Sequence, residues 1–516
     1  MKTRKTAPSS TRSISDAVIY EELQQPPDKR RSSIGTLLLR NAERIYTCDD
    51  DDHIVANGYV RVEDGRVVQI GPEPCPYAGA DEVIDMAGCL VLPGFVSAHH
   101  HFFQSLSRAI PMTQRSGVLD WLYGMYPLWA ELDPESMYWA SLVAASELLL
   151  SGATTCADHS FVLPGENGAV IDAEVQAVRE AGLRLHLVRG CLPTLEGALV
   201  ERLKPVLGER LSHLVDGEEA LLFRRMERDI ATYHDTSRFS MLRMALGPSG
   251  VAFDNPGLMR RIAELAHRNA CGLHTHYHPR AVEREICRRM HGHSPAQFLD
   301  DVGWLAPSTW FAHCTQLDAE DIKAFVEHGC GVAHCPRTVI RLGYQVTPVG
   351  PMRRHGVAVG FGVDGAGSND SGGMMDAVRL GLLLHRTTHG DDAQARAEWM
   401  TPYDALLMAT RGGAAILGRD DIGQLAPGMA ADLIAYDMRR VAYAGGMTDP
   451  VGGLLMGGWD AGTALTVVAG RPLVRDGKLL HLDEHAVVEK ANAVAARMLD
   501  KAAKGTGLPF GSYGCC

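Results

Sequence analysis

Eight short apolar segments between residues 91 and 365, separated by stretches of helical periodicity, constrain this chain more than any other feature of it. They are VLPGFVSAHHH (91–101), TTCADH (154–159), LRLHLVRG (183–190), MLRMALGPS (241–249), CGLHTHYH (271–278), TWFAHCT (309–315), GCGVAHCP (329–336) and VAVGFGVDG (357–365). Apolar runs of this length bounded by turn residues read as buried strands, and intervening segments such as SMYWASLVAASELLL and NPGLMRRIAELAHRN read as helices. Eight strands alternating with helices predict a parallel (β/α)₈ barrel of the TIM type, in the α/β class, with chemistry at the C-terminal ends of the strands.

The flanks follow a different rhythm. From Gly35 the pattern TLLLRNAERIYTCD, then HIVANGYVRVEDGRVVQIG, alternates apolar and polar residues around turns, and the same pattern returns in DIGQLAPGMAADLIAYDM and ALTVVAGRPLVRDGKLL. These are antiparallel hairpins. A chain that begins and ends in short strands around a barrel can pair its ends, so a small discontinuous β-sandwich is expected from residues 35–93 and 418–482. The barrel then occupies 94–417, a helix and tail fill 483–516, and residues 1–34, basic and rich in Ser, Thr and Pro, are expected to be a disordered tail.

Composition narrows the function. A net charge of −12 without a long basic stripe argues against nucleic acid as the main partner. No apolar run reaches the length of a membrane span, and the N-terminus lacks the apolar core of a secretory signal. Twelve cysteines without a paired C-x-x-C framework read as reduced thiols, which fits the cytoplasm. The expectation is a cytoplasmic homo-oligomer acting on a small molecule; no role is assigned to Cys515 and Cys516.

The strand ends supply the chemistry. Alternate residues of a strand share a face, so His99 and His101 can meet at one point while His100 looks elsewhere. His274, His276 and His278 close the fifth strand, His313 the sixth and Asp364 the eighth. A barrel brings these imidazoles and the carboxylate to a single mouth, where metal binding is expected. Asp158 and His159 end the second strand, close enough to orient the ligands.

The runs VLPGFVSAHHHFFQSLSRAIP, HTH, WLAPSTWFAHCT, GVAHCP, GVDGAGSNDS and IGQLAPGMAADL together resemble the amidohydrolase superfamily, in its branch of cytosine-deaminase-like and triazine-hydrolase-like enzymes. The resemblance extends from about Gly35 to Leu480. It implies one divalent ion per chain, zinc or else Fe²⁺, held by His99, His101, His276 and Asp364. It also implies that Asp364 takes the proton of an attacking water and that His313 positions that water. The fourth strand ends in LGPS, without the lysine or glutamate that bridges two ions in relatives, which favours a single metal. Gln104, Trp121 and Arg189 fall where related enzymes bind a planar substrate.

One departure bears on the reaction. The family pattern places a proton-shuttling glutamate three residues after the metal-binding histidine of the fifth strand, and this chain has Pro279 there. A deaminase must protonate the amine it expels. His278, two residues after His276, is the expected substitute; Glu283 and Glu285 are alternatives that the sequence places on a solvated helix face. The segment RTVIRLGYQ after the seventh strand also differs from the Ser- and Asn-rich family version. The resulting expectation is hydrolytic deamination of an aminated N-heterocycle: an 8-oxoguanine-like purine, a pterin, a pyrimidine or a triazine. Expulsion of an alkylamine, halide or thiolate, cleavage of an amide-like bond, or an inactive heterocycle-binding relative are the other readings.

Overall fold

A computed structural model describes residues 35–165, 168–251, 254–278, 280–387, 392–397, 399–457 and 462–513. The N-terminal tail, Pro279, Cys515 and Cys516 lie outside these residues.

Five strands open the described chain: β1 (Thr36–Tyr46), β2 (Ile54–Glu63), β3 (Arg66–Pro72), β4 (Glu82–Asp85) and β5 (Cys89–Pro93). Eight more follow: β6 (Phe95–Ser97), β7 (Ala153–Ser160), β8 (Arg184–Cys191), β9 (Leu242–Pro248), β10 (Gly272–Tyr277), β11 (Thr309–His313), β12 (Gly331–His334) and β13 (Ala358–Phe361). These pair in sequence order, every neighbour parallel. Ala98 N–H donates to the Phe361 carbonyl at 2.8 Å and Asp364 N–H to the His99 carbonyl at 3.0 Å, joining the first strand to the last and closing the barrel. The expected (β/α)₈ architecture is therefore present.

The remaining strands are β14 (Leu433–Asp437), β15 (Leu465–Val468), β16 (Arg471–Arg475) and β17 (Lys478–Leu479). β14 pairs antiparallel with β5, Leu433 opposite Pro93 through Asp437 opposite Cys89, so the two ends of the chain share one nine-stranded sheet. Its alternating residues Leu37, Leu39, Val60, Val62, Val91, Leu433 and Val467 bury a core separate from that of the barrel. The second unit is discontinuous because neither half has enough apolar face to bury alone.

Strand parity decides what reaches the site. Inside the barrel, Val96, Ala157, Val188, Ala245, Trp310 and Ala333, one from each of six strands, pack together above Ala414 and Ile416. Their neighbours Cys156, Leu185, Leu187, Met244, Leu246 and Phe311 pack outward in the same core as helix residues such as Leu148, Val178 and Ile262. Inside, small residues surround the single large Trp310, and mostly larger ones outside seat the helices. No helix among the described residues is long and apolar enough to cross a membrane.

Candidate metal centre and substrate cavity

His99 and His101 follow β6 at the mouth of the barrel, and both are fully buried, as are His313 and Asp364. Nε2 of His101 lies 3.1 Å from Nε2 of His276. Oδ1 of Asp364 lies 3.5 Å from Nε2 of His99 and 3.4 Å from Nε2 of His101, and Nε2 of His313 stands 4.0 Å from Oδ2 of Asp364. The His276 and His313 rings are nearly parallel, 5.2 Å apart.

The backs of these rings fix which nitrogen faces inward. His101 Nδ1–H donates to the His159 carbonyl at 2.8 Å, and His276 Nδ1–H to the Ser249 carbonyl. His274 Nδ1–H donates to the Trp310 carbonyl at 2.8 Å, which leaves its Nε2 to accept from His99 Nδ1–H, also at 2.8 Å. All three inward Nε2 atoms therefore carry lone pairs, and that of His99 has no hydrogen-bond partner among the described residues. A histidine whose far nitrogen donates to a carbonyl or a second ring is in the tautomer a metal requires. Sequence parity places His274 inside the barrel; the ring-to-ring contact with His99 is what it could not supply.

Charge points the same way. Burial pushes His99 and His276 well below the usual histidine range and lowers His101 and His313, so these rings are neutral. Burial pushes Asp364 upward, while a hydrogen bond from His99 and positive charge at His99, His313 and His101 pull the carboxyl well below its usual range. With the rings neutral and their lone pairs turned inward, that positive charge has to come from elsewhere, and a divalent ion fits the donor set. Groups of His99, His101 and Asp364, and of His99, His276 and His313, have ligand atoms within 4.8 Å of one another.

Left-handed backbone aims two of these groups. Strict alternation on β11 would send His313 outward with Phe311, but φ is +71° at His313 and +51° at Cys314, and the chain leaves the alternation there. Asp364 has φ +67°. Non-glycine residues in this region cost energy and persist where surrounding contacts hold them. A close approach also matters: a Cβ on Gly365 would meet Oε1 of Gln104 at 2.1 Å, so a side chain after Asp364 would displace the Gln104 amide from its present place.

The centre forms the floor of a cavity that also exposes His101, His276, His313 and Asp364 to it. One wall is aromatic and includes Trp121, Trp129 and Phe161. Gln104 lines the cavity with its Oε1 unpartnered among the described residues, and Trp121 is pinned by its indole N–H donating to the Gly367 carbonyl at 2.8 Å. Thr338, Leu342 and Tyr344, from the divergent segment after β12, complete this side. Glu196 and Asp254, on loops beyond β8 and β9, and Arg280 and Glu283, at the start of the helix after β10, line the outer part of the cavity.

Two expected positions fall elsewhere. Arg189 has the parity of Leu185 and Leu187, faces out of the barrel and is buried against Asp229, with Nε 2.8 Å from Oδ2; it does not line the cavity. His278 would continue the inward parity of His276, but β10 stops at Tyr277 and φ at His278 is +43°, which breaks the alternation. His278 is buried with its ring 4.2 Å from that of Tyr277, and it too is absent from the cavity wall. Of the second strand, His159 faces inward beside His101 and His276, whereas Asp158 turns outward, accepting from Phe102 N–H at 2.6 Å.

Glu283 reverses the expectation of a solvated face. It is 8% exposed, whereas Glu285 is exposed. In the helix Ala281–His291 the buried residues Glu283, Ile286 and Cys287 follow the i, i+3, i+4 spacing of an inward stripe, a signal present in the sequence. Arg280 Nε donates to Glu283 at 2.8 Å while its Nη2 donates to Glu196 at 2.8 Å. Burial pushes Glu283 up to about 7 despite Arg280. Tyr344 stands between the two regions: its ring centroid is 6.2 Å from that of His313, and both Glu283 and Asp364 act on its hydroxyl.

With this geometry in place, comparison with known proteins is decisive. A model of the amidohydrolase family matches residues 90–473. The chain belongs to the amidohydrolase family. The 8-oxoguanine deaminase of Pseudomonas aeruginosa is 37% identical over 89% of this chain and 98% of its own length. Hydroxydechloroatrazine ethylaminohydrolase of a Pseudomonas species is 33% identical, covering 90% of this chain and 96% of that protein. In structure, atrazine chlorohydrolase from Arthrobacter aurescens TC1, complexed with zinc, superposes with a TM-score of 0.82 at 29% identity, over 89% of this chain and 100% of that one. As an amidohydrolase this chain is a metal-dependent hydrolase of heterocyclic compounds, in the class acting on carbon–nitrogen bonds other than peptide bonds.

Proposed function

We propose that this amidohydrolase deaminates an oxidised, aminated N-heterocycle of purine, pterin or triazine type, using one divalent ion, zinc, held by His99, His101, His276 and Asp364. The observation that carries the reading is the convergence of three oriented imidazole lone pairs and one ionised carboxylate on the floor of a cavity with an aromatic wall. When bound, such an ion supplies the Lewis acidity that brings the ionisation of water toward neutral pH.

The chain's own groups do the rest. Asp364, ionised and facing the cavity, accepts the proton of the attacking water; His313, 4.0 Å from it, hydrogen-bonds that water and the oxygen it becomes. Trp121 and Gln104 hold the ring. A C–O bond forms as the C=N π pair moves to the ring nitrogen, which takes a proton from Glu283. Glu283 recovers one from the new hydroxyl as the carbonyl forms, the C–N bond breaks, and the amine departs as ammonia once it has gained a proton. The proton taken by Asp364 then resets Glu283. Glu283 is the donor of the amine's proton: it lines the cavity, it is poised near neutrality, and Arg280 restrains it. The carboxyl comes from the helix after β10 and takes the part that Pro279 cannot perform and that His278 is not placed to perform.

A second reading is supported by the ethylamino- and chlorohydrolase relatives: the same floor expels an alkylamine or halide instead of ammonia. Intact His313 and Asp364 speak against an inactive binding protein. The ten described cysteines are all unpaired and nine are buried, which supports a reducing, cytoplasmic setting. Homo-oligomeric assembly belongs to the same proposal and is read by light scattering. The discriminating test is a panel of aminated, alkylaminated and halogenated heterocycles given to zinc-loaded protein, with ammonia assayed separately from amine and halide. Ammonia from an oxo-amino ring is the expected product; release of halide or alkylamine alone selects the second reading.

A further inference from the structure

Four side chains on the outer wall of the cavity can carry charge, and three of them satisfy one another. Arg280 bridges Glu196 and Glu283. Asp254 is the exception. It is 2% exposed, it lines the cavity, and Oδ1 accepts from the Thr194 hydroxyl at 3.2 Å, while Oδ2 is fully buried with no hydrogen-bond partner among the described residues. No cation among the described residues stabilises it; burial and the Thr194 hydroxyl are what set its ionisation. Leu192, Leu195, Leu199 and Val251, all apolar, line the same cavity.

A buried carboxyl oxygen left unpaired in an apolar wall is costly, and a native fold retains such a group where something else completes it. We infer that Asp254 is a specificity-determining residue that reads a lactam or cyclic-urea edge of the substrate ring, pairing its acid O–H and carbonyl with the adjacent C=O and N–H of the heterocycle. Burial pushes its carboxyl up to about 7, so the acid form needed for a donor–acceptor pair is populated around neutral pH. Thr194 fixes the carboxyl through the oxygen that still has a second lone pair, which leaves Oδ2 for the ligand. Rings with an oxo group beside a protonated nitrogen meet this requirement. Rings carrying only halogen, thioether or alkylated nitrogens at that edge strand the acid in an apolar pocket, and sites built around a substrate N–H commonly reject such analogues by orders of magnitude.

The inference deepens the deaminase reading and rests on it for the identity of the cavity as the substrate site, so its test uses binding as well as turnover. Uric acid and its N-methylated derivatives, rings of one skeleton with and without the N–H edge, are titrated calorimetrically into zinc-loaded full-length protein. Wild type is expected to favour uric acid by on the order of 10²-fold. Asp254→Leu should erase that preference, and Asp254→Asn, which keeps one donor and one acceptor, should retain most of it. Equal binding of free and methylated rings by the wild type overturns the inference whatever the variants do. So does an Asp254→Leu protein, or an Asp254→Ala protein if the first does not fold, that discriminates as well as wild type. A preference for aliphatic amines over lactams in wild type also overturns it, because it would show an ionised carboxylate at work. Lactam discrimination without ammonia release from any ring leaves the inference standing and defeats the deaminase reading alone.

Discussion

The floor and the outer wall of the cavity are built by different rules. The floor is strand-built: His99, His101 and His276 arrive by alternation from β6 and β10, and backbone carbonyls of Trp310, His159 and Ser249 orient the rings behind or beside them. The wall is loop- and helix-built: Asp254, Arg280 and Glu283 lie beyond the strand ends, where the period of two no longer ties a side chain to the barrel axis and only Glu283 follows a helical stripe. Every strand of the floor is pinned by its neighbours, so the ligand geometry tolerates little variation. The wall is free to change, and the divergent segment after β12 is such a change.

If that contrast is right, the floor should fail all at once and the wall by degrees. The largest effect is expected for His276→Ala, which removes a lone pair that no neighbour replaces. The variant should purify without its ion and without measurable turnover, while elemental analysis of wild type returns one divalent ion per chain. Two ions per wild-type chain, or an active His276→Ala protein, would break the picture of a single strand-built centre.

Within the floor, holding the ion and doing chemistry separate. Asp364→Asn should abolish turnover because the amide cannot accept a proton. His313→Asn should keep the ion and lose at least on the order of 10²-fold in kcat, the scale of an oxyanion or water-positioning group. Elemental analysis beside single-substrate kinetics resolves the pair, and near-normal turnover by His313→Asn would remove it from the mechanism.

The same contrast explains how far sequence reaches. The barrel, the paired terminal sheet and the converging strand ends were legible because parity and strand–helix alternation are written directly in the order of apolar residues. Arg189 was misplaced by one step of that parity: it faces Asp229 with Leu185 and Leu187, not the mouth with Val188. Backbone sign is the deeper limit. His313 reaches the floor because φ is +71°, and His278 leaves it at φ +43°; neither is glycine, so nothing in composition marks either turn. Glu283 had a readable stripe, but polarity argued against putting a glutamate on it, and only the Arg280 partnership and the cavity resolve that conflict.

Glu283→Gln tests the wall. Loss of a general acid should lower kcat for ammonia release by on the order of 10²- to 10³-fold while leaving the ion bound. The sign of the pH dependence follows from the role: the donor must be protonated, so wild-type activity should fall as pH rises through about 7, the value to which burial raises Glu283 against Arg280. That limb should vanish in Glu283→Gln. Substrates with leaving groups that need no proton should lose less, and a uniform loss across all of them would mean that Glu283 does not serve the leaving amine.

The smallest effect is expected at His278, and it is informative because the sequence singles this residue out. Asparagine tolerates the left-handed backbone at this position, so His278→Asn keeps the turn while removing the imidazole. Burial already pushes His278 down to about 3, which leaves it neutral and, without a hydrogen-bond partner for either nitrogen among the described residues, unconnected to the cavity. Ammonia release should stay within about threefold of wild type, less than about 1 kcal/mol in the barrier, since this buried ring does not line the cavity. Any loss should appear in thermal stability, and the pH limb near 7 should persist. A His278→Asn protein that folds, binds its ion and yet loses both turnover and that limb would return the proton to β10, and with it the expectation that alternation, not a helix stripe, supplies the acid.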